Sequence, residues 1–265
     1  MKKIVYTDLD GTLLDHDTYS FEESKPGLEL LKKLEVPIIF CTSKTRFEIE
    51  EYREKLGNSH PFISENGGGI FIPKNYFSFD FNYDDIIDNY KTIILGEKFD
   101  NLMKVLDTLK KEFRIRSFID MNLEEIAKIS NFTINDASLA KKREFEIPFR
   151  ILDEKQEKKV LEKIKSYGLE CMIGGRYYHL SGKNNKGKAV RILNGLYKKE
   201  YGYIYSYGFG DSANDFSMLD NVDEGYIVMK KDKTYSSDKY RKSVHIGPKG
   251  WNNTVKKIFS KTKSI

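Results

Sequence analysis

The chain is poor in cysteine, with two in 265 residues, Cys41 and Cys171. Both fall in apolar, strand-like runs and read as buried free thiols. That excludes a disulfide framework and leaves no thiolate cluster for zinc. Long hydrophobic runs are missing as well: nothing approaches the roughly 20 apolar residues that cross a bilayer. The short apolar stretch at the N-terminus is too brief for a signal peptide and ends in Asp8. A cytoplasmic protein with no membrane partner is therefore expected. Neither sign of charge dominates, since 45 Lys and Arg face 40 Asp and Glu for a net +5. The basic residues are dispersed, with no basic helix and no aromatic-interleaved stripe, which argues against a nucleic-acid partner. Lysines at 230–242 and beyond 256 read as solvated loop and helix faces. Internal repeats and low-complexity segments are absent too. The remaining composition, 39% hydrophobic and 32% charged, suits a globular chain with ample core for one large or two modest domains.

What is present begins with a junction. Lys3-Ile4-Val5-Tyr6-Thr7 reads as a buried strand and runs directly into Asp8-Leu9-Asp10-Gly11-Thr12. Open α/β sheets hold ligands at the carboxyl ends of their strands. Residues two apart in extended chain face the same side, so Asp8 and Asp10 can share one site. Two anions so close call for a cation or a proton between them. Mg²⁺ is the economical choice, a hard ion with oxygen ligands that commonly also holds phosphate. An EF-hand does not fit: its loop needs glycine at position six, whereas Gly11 is fourth from Asp8, and this loop follows a strand. A second acidic loop, Gly210-Asp211-Ser212-Ala213-Asn214-Asp215, also follows a strand-like run at 203–209. Either loop alone could be an ordinary turn; together they indicate a site.

The periodicities before 83 read β-α-β-α-β, with helices at 26–34 and 45–56, the latter stopped by Gly57. Pro37-Ile38-Ile39-Phe40-Cys41 is a buried parallel strand. Pro61-Phe62-Ile63-Ser64 is another, turning through Glu65-Asn66-Gly67-Gly68-Gly69 into a hairpin partner, Ile70-Phe71-Ile72. From about 84 helical patterns (97–112, 122–130, 135–145, 155–167) mix with short strands (113–118, 148–152, 171–174, 177–180). Asn122 and Glu125 make a capping box. The doubly wound pattern resumes with helix 188–200, strand 203–209, helix 214–219, strands 226–229 and 244–246, and a helix from Trp251. The fold class is thus α/β, a doubly wound, Rossmann-like parallel sheet with an inserted α+β cap. Core residues are 1–83 and 183–265, with a cap at 84–182 whose joints near Asp84 and Gly182 allow it to close.

Together the two acidic loops resemble the signature of the haloacid dehalogenase superfamily of phosphohydrolases. The resemblance implies that Asp8 is the nucleophile forming an aspartyl-phosphate. Asp10 would protonate the leaving oxygen and then activate water. It further implies a Mg²⁺ site made by Asp8, the backbone carbonyl of Asp10 and Asp211, with Asp215 and Asn214 holding metal-bound water or orienting a lysine. Thr42, at the end of the 38–41 strand, matches the hydroxyl that bonds the phosphoryl group, with Ser43 in support. Read without the resemblance, Thr42 is a helix cap. Three lysines compete in Gly182-Lys183-Asn184-Asn185-Lys186-Gly187-Lys188; the one directly before Gly at a helix start, Lys186, matches the catalytic lysine. A cation at a helix N-terminus is locally unfavourable, which itself invites a functional reading.

Further motifs resemble the mannosyl-3-phosphoglycerate phosphatase family within that superfamily. They are Asp8 to Asp15, Cys41-Thr42-Ser43-Lys44-Thr45-Arg46, Ser64-Glu65-Asn66-Gly67-Gly68, Gly174-Gly175-Arg176-Tyr177-Tyr178-His179-Leu180 and Gly247-Pro248-Lys249-Gly250-Trp251-Asn252. The family implies a small-molecule substrate, a hexose linked to 3-phosphoglycerate in mannosyl or glucosyl form. Mannosylglycerate, a compatible solute, is the product. The cap should read sugar and glycerate: Arg143 is placed to pair with a carboxylate as a fork, and Arg176 and His179 are companions. Glu65 and Asn66 line the same cleft or make a β-turn. This chain departs from the family in having Lys142 before Arg143 and Ile147 before Pro148. Glu146 lies one position early, which in a strand turns it to the other face. A broader sugar-phosphate phosphatase, a phosphomutase or phosphotransferase, and a phosphate-binding module are the competing readings. Nothing in the sequence sets the oligomeric state.

Overall fold

The structure is a computed structural model that describes residues 1–174 and 177–260. Among these residues the chain runs β1 (Lys2–Thr7), α1 (Lys25–Lys33), β2 (Ile38–Cys41), α2 (Arg46–Leu56), β3 (Phe62–Ser64), β4 (Gly69–Pro73), β5 (Asp85–Ile87) and β6 (Tyr90–Ile94). Then follow α3 (Phe99–Glu112), β7 (Ile115–Ser117), α4 (Leu123–Ser130), α5 (Ile134–Ala140), β8 (Glu146–Ile151), α6 (Glu157–Ser166), β9 (Glu170–Gly174) and β10 (Tyr177–Ser181). The chain closes with α7 (Lys186–Tyr201), β11 (Ile204–Gly210), α8 (Phe216–Leu219), β12 (Glu224–Met229), β13 (Arg241–Ile246) and α9 (Gly247–Phe259).

Two sheets result, a nine-stranded one in the order β13-β12-β11-β1-β2-β3-β4-β6-β5 and a four-stranded one in the order β7-β8-β10-β9. The large sheet is parallel from β13 through β3, with β1 paired between β11 and β2. Alternate strand residues feed two separate cores, as a period of two requires. Val5, Ile38, Phe40, Phe62 and Phe71 join Leu31 of α1, Ile49 of α2 and Trp251 of α9 on one face. Ile4, Tyr6, Ile39, Cys41, Ile63 and Ile70 join Val190 and Leu193 of α7 and Met218 of α8 on the other. Helices on both faces explain why β1 and β2 read as unbroken apolar runs.

The small antiparallel sheet carries α3 and α6 on one side, where Leu102, Leu106, Val160 and Ile164 pack on Ile147, Phe149 and Leu180. Alpha-helices α4 and α5 form a separate pair with Phe118 and Tyr177. This is the α+β cap that the sequence indicates. No helix among the described residues is long and apolar enough to cross a membrane.

Two expectations need correction. The first core part does not stop at 83, because β6 pairs with β4 and β5 with β6, extending the large sheet antiparallel to its edge. The passage into the cap falls after Ile94, where Gly182 lies close against the backbone of Glu97 on the return. Those strands were hard to see because β5 is three residues long and lies mostly exposed. The helix expected over 135–145 ends at Ala140. Its continuation is pre-empted: the amides of Glu144, Phe145 and Glu146 all donate to the Glu65 carboxylate at about 2.9 Å instead of to helix carbonyls.

Candidate active site

The loops after β1, β2 and β11 converge at the carboxyl edge of the parallel strands. Facing them across a cavity of about 210 Å³ are cap residues, among them Phe118, Phe132, Pro148, Met172, Tyr177 and His179. The β1 strand hands Asp8 to the site, its amide donating to Phe209 O at 2.8 Å. The loop then curls back, Leu14 N donating to Leu9 O at 2.8 Å, and so turns Asp10 into the same cavity.

Lys186, the first residue of α7, is fully buried and donates from Nζ to Asp8 Oδ1 at 2.8 Å and to Asp215 Oδ1 at 2.5 Å. Burial works against its charge, but Asp215 and Asp8 hold the ammonium above its ordinary range. The cation that is awkward for the helix is thus paired by two carboxylates. Asp215 Oδ2 accepts the amides of Asp211 (3.0 Å) and Ser212 (3.1 Å), which folds the second acidic loop into a tight cap before α8.

Asp8, Asp211 and Asp215 bring carboxylate oxygens within 4.8 Å of one another. With Lys186 as their near cation, negative charge is in excess. Burial with Asp215 and Asp8 nearby pushes the Asp211 carboxyl up to about 7, and burial beside Asp8 pushes Asp215 up to about 6. Gly11, at φ +72°, leaves room at this point: a Cβ there would meet Asp211 Oδ2 at 2.9 Å. An all-oxygen, charge-excess pocket with a cleared approach fits a hard divalent cation. The Asp10 side chain stands outside that cluster, so of its atoms only the backbone carbonyl remains as the expected ligand. Its Oδ2 lies 3.0 Å from Lys44 Nζ, while its Oδ1 is buried without a hydrogen-bond partner. Burial raises the Asp10 carboxyl, with Lys44 opposing.

The β2 loop contributes less directly than expected. Thr42 is almost wholly buried, and its hydroxyl accepts only a long bond from Lys44 N at 3.4 Å, whereas Ser43 and Lys44 line the cavity. Asn214 lines it too and donates to Asn66 Oδ1 at 3.1 Å; Asn66 in turn donates to Glu146 Oε2 at 3.0 Å. The other Glu146 oxygen receives Arg143 Nη1 at 2.7 Å and His179 Nδ1 at 3.0 Å. A line of hydrogen bonds therefore runs from the second acidic loop through Asn66 into the cap.

Strand parity also revises the expectation for Glu146. It shares the cavity-side face with Pro148 and His179, while Ile147 enters the cap core. Glu146 lies buried beneath the surface, orienting Arg143, His179 and Asn66. Burial opposes its charge, but His179 and then Arg143 hold its carboxyl below the usual range. Arg143 lines the cavity but spends Nε on Ala140 O (2.9 Å) and Nη1 on Ser43 O (2.7 Å) and Glu146, with Nη2 3.9 Å from Glu48 Oε2, so it is not a free two-pronged fork. Glu65 turns away from the cleft to clamp the cap amides; burial, with Arg143 opposing and Glu146 adding to it, leaves its carboxyl raised to about 8. Arg176 lies outside the described residues. Lys44 and Glu48 were not singled out from the sequence. The signal was available, since Lys44 directly precedes the Thr45–Glu48 capping box of α2 and is a cation at a helix N-terminus, like Lys186.

Residues 5–237 match the family of haloacid dehalogenase-like hydrolases. The chain is 44% identical, over the full length of both, to the glucosyl-3-phosphoglycerate/mannosyl-3-phosphoglycerate phosphatase of Methanococcoides burtonii. It is 38% identical to the phosphatase of the same name from Persephonella marina, over 97% of each chain. The mannosyl-3-phosphoglycerate phosphatase of Pyrococcus horikoshii is also 38% identical, over 86% of this chain and 91% of its own. Among solved structures, a Thermoplasma acidophilum protein superposes with a TM-score of 0.68 at 20% identity, covering 98% of this chain and 99% of its own. A subclass IIB sugar phosphatase superposes at 0.66 and 18% identity, covering 97% and 99%. At such identities these two speak for the fold alone.

Proposed function

Because this chain belongs to the haloacid dehalogenase-like hydrolases and is a phosphoric monoester hydrolase, we propose that it hydrolyses a glycosyl-3-phosphoglycerate, mannosyl or glucosyl, with Mg²⁺ as cofactor. The observation that carries this substrate is the 44% identity across the whole of both chains to a relative named for both glycosyl forms.

In the proposed reaction an Asp8 carboxylate oxygen attacks phosphorus. The new O–P bond forms as the bond to the glycerate oxygen breaks, and that oxygen takes a proton from Asp10. Asp10, now a carboxylate, removes a proton from water. The water oxygen bonds to phosphorus, Asp8 is released, and the sum is ester plus water to alcohol plus phosphate. Lys186, 2.8 Å from Asp8 Oδ1, fixes the nucleophile's orientation. Asp8, Asp211, Asp215 and the backbone carbonyl of Asp10 are the groups that would hold Mg²⁺, which supplies neutralisation of charge at the phosphoryl oxygens. Ser43, which lines the cavity, is assigned to the phosphoryl group, with the buried Thr42 behind it. Asn214 with Asn66 orients the loop behind it, and His179 and Arg143 face the glycosylglycerate from the cap.

The substrate is tested by comparing kcat/KM for mannosyl- and glucosyl-3-phosphoglycerate with that for free 3-phosphoglycerate and hexose 6-phosphates. A preference of about 100-fold or more for a glycosylated ester is expected, equivalent to roughly 2.7 kcal/mol of discrimination by the cap. Equal values across the series would leave a broad sugar-phosphate phosphatase.

A further inference from the structure

Lys44 has no part in the steps above, yet its placement is unusual. It is buried between β2 and α2, with Nζ 3.0 Å from Asp10 Oδ2 and 3.3 Å from Glu48 Oε1. Rings from three separate stretches surround the same nitrogen: Tyr19 at 4.9 Å, Phe132 at 5.4 Å and Tyr52 at 5.8 Å. A buried ammonium is costly unless its partners are good, and at a helix N-terminus the backbone dipole opposes it. The fold gives no reason for a cation here, because the first turn of α2 is already capped by Thr45 and Glu48. Asp10 supplies one. Oδ2 is held by the ammonium and Oδ1 is buried without a partner, while the side chain still lines the cavity.

We propose that Lys44 is a positioning residue for Asp10. By holding Oδ2 it keeps the side chain apart from the Asp8–Asp211–Asp215 cluster and fixes the carboxyl in the orientation from which it passes the proton to the leaving oxygen. Glu48 gives the ammonium a second partner, so its charge stays paired throughout the cycle. The aromatic cage fixes the nitrogen laterally. Because Phe132 follows α4 of the cap, whereas Tyr19 and Tyr52 lie outside it, the cage is complete only with the cap seated. Tyr19 adds a direct tie, donating to Ser130 O at 3.1 Å.

This inference rests on the reading of Asp10 as the acid, and the test separates the two. An alkyl ester such as mannosyl-3-phosphoglycerate needs a proton on its leaving oxygen, whereas p-nitrophenyl phosphate, with a good leaving group, needs it far less. The readout is the alkyl-to-aryl ratio of kcat/KM, which reports transfer to Asp8 and not the hydrolysis step both substrates share, in wild type, Asp10→Asn, Lys44→Met and Lys44→Gln. Any unfolded fraction lowers both substrates equally and cancels. In both Lys44 variants the ratio is expected to fall about 10- to 100-fold with KM for the alkyl ester little changed, in the same direction as in Asp10→Asn. An unchanged ratio in the Lys44 variants, with the Asp10→Asn ratio reduced, overturns the role of Lys44 alone. An unchanged ratio in Asp10→Asn removes the acid reading and this inference with it.

Discussion

Asp8 and Asp10 sit two residues apart, yet each is held by a different lysine: Lys186 takes Asp8 and Lys44 takes Asp10. That division lets neighbouring carboxylates take the proposed roles of nucleophile and acid without sharing a proton. Asp8→Asn keeps the shape but removes the proposed nucleophile, so turnover should fall on the order of 10⁴-fold with the fold intact by circular dichroism. Lys186→Met strands the buried carboxylates of Asp8 and Asp215, and a loss of about 3 kcal/mol in urea unfolding is expected; an unchanged midpoint would mean that its two bonds contribute little. Glu65 yields a pH prediction. Its carboxyl is raised to about 8 from an ordinary 4.5, so the folded state binds its proton more tightly than the unfolded chain does. The associated stability is complete below about pH 4.5 and is lost as pH rises through 8. Glu65→Gln should therefore flatten the stability profile between those limits, and a profile that keeps its wild-type slope would speak against a raised value. That Asp8, Asp10 and Asp211 would meet at one cavity could be read from the sequence because their motifs are contiguous. Lys44 and Glu146 could not, because their partners lie across the fold and their neighbours in sequence look ordinary.

At the level of elements, the apolar periodicities placed the parallel strands and their flanking helices well, since burial on both faces leaves a strong local signal. The capping box at Asn122 and the Gly57 stop formed as read. The segment 141–146 escaped because what holds it is not local. Phe145 packs in a notch against Gly68, Gly69 and Gly96, where a Cβ at Gly68 would come within 2.4 Å of the Phe145 Cβ. It belongs to the core cluster of the large sheet although its neighbours lie in the cap. Phe145→Ala should cost about 3–5 kcal/mol, more than loss of any single hydrogen bond at this junction. The amides of Glu144, Phe145 and Glu146, all held by Glu65, should exchange slowly with deuterated water. Glu65→Ala should speed all three together, whereas fast exchange in the wild type would contradict the clamp.

For the whole molecule, the division of labour follows the two sheets. The large sheet presents the acidic cluster and lysine at the carboxyl ends of its strands, and the small sheet lays His179, Met172 and Pro148 over them. The sequence indicated both units, but their junction lies beyond the expected one because an exposed edge strand carries little signal. Charge excess at Asp8, Asp211 and Asp215 would make metal binding a stability effect as well as part of the proposed chemistry. Mg²⁺ should raise the unfolding temperature in a concentration-dependent way, and Asp211→Ala should remove that rise. The most direct measurement is phosphate release from mannosyl-3-phosphoglycerate while Mg²⁺ is titrated, with Asp8→Asn beside the wild type. Release that saturates with Mg²⁺, stops on chelation and vanishes in Asp8→Asn is the expected result. Release that persists without the metal or in the Asp8 variant would contradict the proposed chemistry.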